Sequence, residues 1–263
     1  MEIKDKYTID DLIEIMRILR APGGCPWDMV QTHDSIKKSM IEESYEAIDA
    51  LDSGDDHAFA NELGDVLLQV VFHAEIAKER GAFDFDAILK EVCDKLISRH
   101  SHVFGEDKAK DAESALSTWE KNKKKEKNLG TFTDTLKDVP QSLPALMRAE
   151  KVQKKASAVG FDWPADTVPY DKIIEEANEL RDAVATGNEA KIEEEYGDLL
   201  FSTVNVGRHL HICPETSLTD SIRKFINRFE QCEKLAKEGG KELDSCTAAE
   251  LDTLWNKAKQ NEC

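Results

Sequence analysis

Glu42, Glu43, Glu46 and Asp49, followed by Glu62 and Asp65, are spaced to gather carboxylates on facing sides of two successive helices. The same set returns 133 residues later, without a gap, as Glu175, Glu176, Glu179 and Asp182, followed by Glu195 and Asp198. Ala50, Gly54 and Gly64 recur in the same register as Ala183, Gly187 and Gly197. A lone E-x-x-E is cheap in so acidic a chain, whereas a duplicated six-carboxylate frame marks an internal repeat. Helix positions i, i+3, i+4 and i+7 share a face, so Glu42, Glu46 and Asp49 align with Glu43 beside Glu46, and Glu62 joins Asp65 on the next helix. A short turn between the two helices makes them antiparallel neighbours with converging acidic faces. Carboxylates gathered in this way repel unless a cation sits among them. An all-oxygen donor set suits Mg2+, with Mn2+ as a substitute. The bland alternative is two fully solvated acidic faces, with Ile41, Tyr45 and Ile48 forming an apolar stripe for packing elsewhere.

Cations and aromatics follow the acids in the same order in both halves. Lys95 and Arg99 form K-x-x-x-R, as do Lys224 and Arg228, each pair directing two cations from one helix face. Trp119, Lys121 and Lys123 form W-x-K-x-K, matched by Trp255, Lys257 and Lys259, and Gly24/Trp27 is matched upstream by Gly160/Trp163. Acids for metal, cations for phosphate and a tryptophan to stack on a ring together describe a phosphorylated aromatic ligand. The competing reading makes all four tryptophans core residues.

The elements that position these groups are helical. Alternating β-branched runs are missing and 3.6-residue apolar spacing dominates. Helices are expected over about 8–20, 35–51, 57–80 and 86–99, the first breaking at Pro22, Gly23, Gly24 and Pro26. Residues 121–144, opening on a lysine run and containing Gly130, Pro140 and Pro144, read as a solvated linker. The pattern then restarts, with helices over about 145–158, 170–186, 189–211, 218–238 and 248–259. The expected architecture is all-α: two tandem helical-bundle domains, 1–125 and 145–263, joined by 126–144.

Composition narrows the function. A chain of 263 residues can bury two cores, and a formal charge of −18 argues against a general binder of nucleic-acid polymers. The six cysteines, Cys25, Cys93, Cys213, Cys232, Cys246 and Cys263, are scattered and read as reduced thiols of a cytoplasmic protein. No stretch has the length of a signal or membrane-spanning segment. There is no phosphate-binding G-x-x-x-x-G-K-[ST] loop. His209, His211 and Cys213 resemble zinc ligands, but i, i+2 positions diverge on a helix, and His100 with His102 meets the same objection unless that segment is extended.

Several motifs together resemble the two-domain form of the MazG family of nucleoside triphosphate pyrophosphohydrolases. They are Gly24-Cys25-Pro26-Trp27-Asp28 with Gln31-Thr32, the two carboxylate sets, Arg99-His100 with His102-Val103-Phe104, Ser142-Leu143-Pro144-Ala145-Leu146, Val159-Gly160-Phe161-Asp162-Trp163 and Glu194-Glu195-Tyr196-Gly197-Asp198-Leu199-Leu200-Phe201. Ser101 departs from the proline expected in R-H-x-H-V-F. The resemblance implies an all-α, Mg2+-dependent homodimer that converts nucleoside triphosphates and their deoxy forms to monophosphate and pyrophosphate. It implies Glu176, Glu179, Glu195 and Asp198 as metal ligands. The implied nucleotide contacts are Lys172, Glu175, Glu176, Lys191, Glu194, Asp198, Lys224, Arg228 and Trp255. The corresponding first-repeat set is Glu43, Glu46, Glu62 and Asp65, with Lys95 and Arg99.

On that reading, metal held by the carboxylates bridges the triphosphate and activates a water toward the α–β linkage. Glu175 accepts the proton, while Lys224 and Arg228 offset charge on the transferred and departing groups. The second repeat is expected to be the active one, because Lys191 becomes Ala58 in the first. Two rivals stand beside this reading: a non-catalytic scaffold that binds nucleotide and metal to regulate a partner, and an enzyme confined to one substrate such as dUTP or phosphoribosyl-ATP.

Overall fold

The computed structural model describes residues 3–127, 129–164 and 167–260, and among them every regular element is helical. Cys263 lies outside the described residues; Cys25, Cys93, Cys213, Cys232 and Cys246 are free thiols. The chain divides into two compact units, with the boundary between Glu126 and Lys127. The first holds α1 (Ile9–Arg20), α2 (Pro26–Val30), α3 (Lys37–Ser53), α4 (Asp56–Glu79), α5 (Phe85–Arg99), α6 (Ser101–Phe104) and α7 (Ala112–Glu126). The second holds α8 (Phe132–Lys137), α9 (Ala145–Ser157), α10 (Tyr170–Thr186), α11 (Glu189–His209), α12 (Pro214–Glu238), a 3-10 turn (Leu243–Ser245) and α13 (Ala248–Gln260).

Each unit is organised around a helical hairpin, α3 with α4 and α10 with α11. The two hairpins use the same joint. Gly54 closes α3 at φ 74° and Gly187 closes α10 at φ 68°, left-handed conformations that cost a glycine least. The next residue caps the following helix. The Asp55 carboxylate accepts from the backbone N–H groups of His57 and Ala58, and the Asn188 side-chain oxygen accepts from that of Lys191. In the first unit, α1 and α5 pack on the buried end of α4, where Met16, Ile36, Val71, Phe72, Ala74, Ile76 and Phe85 form the core. In the second, α9 and α12 pack on α11, with Val204 and Val206 buried, and α13 returns along α12.

The structure departs from the sequence expectations at charged or short stretches. The lysine run is not linker: Lys123, Lys124 and Lys125 form the last turn of α7, where positive charge complements the carbonyl end of the helix. Helix α1 ends at Arg20, as the break at 22–26 requires, while Pro26 opens the unforeseen α2 and Pro214 opens α12 four residues before the expected start, since the first helical position needs no N–H donor. His102 lies in the short helix α6, so the segment beyond His100 is not extended. Helix α11 ends at His209, two residues before the expected limit, and His211 adopts φ 57°.

Candidate active site

Where the hairpin of the second unit closes, Glu176 and Glu179 of α10 face Glu195 of α11. These three offer carboxylate oxygens that all lie within 4.8 Å of one another. Glu176 and Glu195 are only 5% and 3% exposed, which rules out the reading of independent solvated faces for them. Buried carboxylates require compensation, and two lysines supply part of it. Lys172 Nζ lies 2.6 Å from Glu176 and 2.8 Å from Glu175, while Lys191 Nζ lies 2.6 Å from Glu195 and 3.2 Å from Glu194. One oxygen of Glu195 is buried without a hydrogen-bond partner.

The electrostatics follow from this crowding. Lys191 holds Glu195 below the usual carboxylate range, whereas the Glu195 charge, then burial and Glu176, push Glu179 above it. Both lysines are raised, Lys172 by Glu175 and then Glu176, Lys191 by Glu195 and then Glu194. In the first unit Glu43, Glu62 and Asp65 converge within the same distance, all partly buried. Burial, followed by the charges of Asp65, Glu46 and Glu62, raises Glu43.

Each cluster thus contains three of the four carboxylates expected from sequence. Glu46 is exposed beside the first and Asp198 beside the second. Antiparallel pairing across the joint puts Glu195 level with Glu179 and Asp198 level with Glu176. Lys191, one turn before Glu195, holds that carboxylate, and Lys172, one turn before Glu176, holds the other buried one. An all-oxygen set with an unpartnered buried oxygen fits a hard divalent cation.

Lys224, Arg228 and Trp255 form a second group on α12 and α13. The Arg228 guanidinium lies over the Trp255 ring, 5.8 Å from its centroid, and Phe225 packs against that ring at 5.2 Å. Trp255 borders an open, largely apolar pocket with Phe225, Phe229, Leu243 and Leu251, while Lys224 lines a polar one with Asp220, Asn227 and Glu230. In the first unit Arg99 lies over Trp119 and forms a two-pronged ion pair with Glu126, and Lys95 reaches Glu91 at 3.6 Å. None of the four tryptophans is buried, which overturns the alternative that all are core residues.

Sequence reasoning missed the group that ties the Gly160–Trp163 motif to α11. Asp162 accepts from both terminal nitrogens of Arg208, at 2.8 Å for the Nη1–Oδ2 contact. His209 Nε2 lies 3.1 Å from the same carboxylate. His209 is therefore a structural residue of this anchor. Burial opposes ionisation of Asp162, but Arg208 and then His209 outweigh it and hold the group below its usual value. Asp162 should therefore stabilise the fold fully above the unfolded carboxylate value near 4 and lose that contribution as pH falls through its lower folded value. Urea melts of Asp162→Asn should show a deficit of about 1–2 kcal/mol at pH 7 that narrows below pH 4. A deficit that widens on acidification would contradict the anchor.

The family model described as the MazG nucleotide pyrophosphohydrolase domain matches residues 31–104 and 168–233, segments that contain both hairpins. The MazG nucleoside triphosphate pyrophosphohydrolase/pyrophosphatase of Thermotoga maritima is 44% identical over 252 residues, 95% of each chain. The chain belongs to the MazG family. The nucleoside triphosphate pyrophosphohydrolase of Escherichia coli K12 is 42% identical over 259 residues, 97% of this chain and 98% of that one. The Bacillus subtilis protein YabN is 45% identical over 249 residues, only 51% of its length, so a MazG chain of this size also resembles part of a longer protein. Among the described residues, no helix is long and apolar enough to cross a membrane.

Proposed function

We propose that the second unit binds Mg2+ through Glu176, Glu179, Glu195 and Asp198 and hydrolyses nucleoside and deoxynucleoside triphosphates to monophosphate and pyrophosphate. The observation that carries this reading is the convergence of two buried glutamates and Glu179 around an unpartnered carboxylate oxygen. The names of the Thermotoga and Escherichia relatives support the same activity. When bound, the cation supplies charge neutralisation at the triphosphate and a more acidic attacking water. Mn2+, which takes the same ligands, is the expected substitute.

The chain's own residues do the rest. A water adds to phosphorus at the α–β anhydride, the anhydride bond breaks, and pyrophosphate leaves with the bonding electrons. Glu175, beside the metal ligands and held by Lys172, accepts the water's proton. Lys172, Lys191, Lys224 and Arg228 bind phosphate oxygens, and Arg228 with its planar fork serves the charge that develops on the departing group. Trp255 and its apolar pocket receive the base by stacking, which any base satisfies, so broad base use is expected. Such substrates, and reduced thiols, belong to the cytoplasm.

A homodimer is part of the proposal. Large apolar side chains recur exposed on both hairpins, Ile41 with Ile174, Leu51 with Val184, Leu63 with Tyr196 and Leu67 with Leu200. A duplicated apolar face of this kind fits a second copy of the chain.

Incubation of purified protein with ATP, dGTP, dUTP and phosphoribosyl-ATP plus Mg2+, followed by product separation, tests the reading. Monophosphate and pyrophosphate from several nucleotides is the expected result, abolished by chelation. Diphosphate with phosphate would indicate other chemistry, a single accepted substrate the narrower enzyme, and no turnover a regulatory scaffold. Sedimentation equilibrium on the same sample should give a dimer; a monomer would remove that part.

A further inference from the structure

Two lysines stand inside the second acidic cluster, and the matching positions of the first repeat hold none. Lys172 and Lys191 each sit one turn before a buried glutamate of the cluster, and each reaches it at 2.6 Å. Their counterparts are Ser39 and Ala58. Lys38, the residue before Ser39, pairs with Glu42, outside the converging set of Glu43, Glu62 and Asp65.

We propose that Lys172 and Lys191 are resident counter-ions that make metal binding in the second repeat conditional on the triphosphate. The inference rests on the functional reading above. In the ligand-free protein the two ammonium groups neutralise Glu176 and Glu195. A divalent cation arriving alone must take those carboxylates from the lysines, leaving two ammonium groups beside a dication with no anion to receive them. A triphosphate supplies that anion. Each lysine then leaves its carboxylate for a phosphate oxygen through rotation of its own flexible stem, and Glu176 and Glu195 turn to the cation. Positive charge is exchanged within the site rather than accumulated. Metal and nucleotide consequently strengthen one another's binding by a common factor, as linkage requires. The first repeat has no such lock, so a cation alone relieves the repulsion among its carboxylates.

The test is Mn2+ binding to the full chain, read from the electron paramagnetic resonance signal of the free ion. The first repeat is silenced by Glu43→Gln and Glu62→Gln, and titrations are run with and without α,β-methylene-ATP. Lys172→Gln and Lys191→Gln are each expected to raise affinity for Mn2+ alone on the order of tenfold, and to shrink the strengthening caused by the nucleotide analogue by a similar factor. Lys191→Arg, which keeps the charge, should behave as the parent. Both lysines are partly exposed on helix surfaces, so glutamine fits, and circular dichroism melts check the fold. Unchanged affinity for Mn2+ alone in both glutamine variants overturns the counter-ion role. Pyrophosphate release by the parent chain, measured in parallel, separates the two ideas: release with no lysine effect sinks only this inference, and no release sinks the functional reading while the Mn2+ titration still decides the lysines' part.

Discussion

Glu195→Ala is expected to lose roughly a thousandfold in kcat/KM for Mg2+-dependent pyrophosphate release, the scale of removing a principal electrostatic contact from a transition state. Glu195 is the residue on which the second cluster turns. It meets Glu176 and Glu179 across the hairpin, it is nearly inaccessible to solvent, and one of its oxygens has no partner within the protein. Its loss removes a proposed metal ligand and leaves Lys191 without its buried partner. The same substitution at the corresponding Glu62 should leave most of the activity, because Ser39 and Ala58 stand there where the second repeat has Lys172 and Lys191, the proposed phosphate contacts. Equal losses in the two variants would assign chemistry to both repeats, and full turnover by Glu195→Ala would remove the cluster from the mechanism.

The second large effect is expected at Arg228. Replacement by alanine should lower kcat/KM about a hundredfold, with lysine intermediate because it restores charge but not the planar, two-pronged geometry. The guanidinium is held over the Trp255 ring on the neighbouring helix. An alanine variant as active as the wild type would detach the α12–α13 group from the reaction, whatever the carboxylates do.

The long elements were readable because periodicity and caps agree. Helix α10 begins at Tyr170 and ends at Thr186 as its apolar spacing and Gly187 require, and α11 starts at Glu189 after a capping asparagine. Short helices were not readable: α2, α6 and α8 carry too few residues for a period to emerge. Helix α7 was hidden for another reason, since its lysines look like a solvated segment until the favourable placement of positive charge at a helix end is considered. In the site, spacing alone carried Glu176, Glu179 and Glu195 to one place. It did not separate Asp198 and Glu46, which lie exposed beside the clusters, from the carboxylates that converge, because backbone periodicity fixes a helix face and not the rotamer of each side chain. The K-x-x-x-E spacing of Lys172 with Glu176 and Lys191 with Glu195 was present in the sequence and would have announced those ion pairs.

The two-residue joints at Gly54–Asp55 and Gly187–Asn188 have a consequence for how this chain can vary. One inserted residue would start the following helix about 100° further around its axis, carrying Glu62 or Glu195 off the facing surface. Side chains near the joint can be exchanged, as Lys191 and Ala58 are, but chain length there cannot. The separation between copies obeys this rule: it holds at 133 from one end of the acid frame to the other, yet is 136 between Trp119 and Trp255 and 129 between Lys95 and Lys224. The ruler is locked only where carboxylates of two helices must meet.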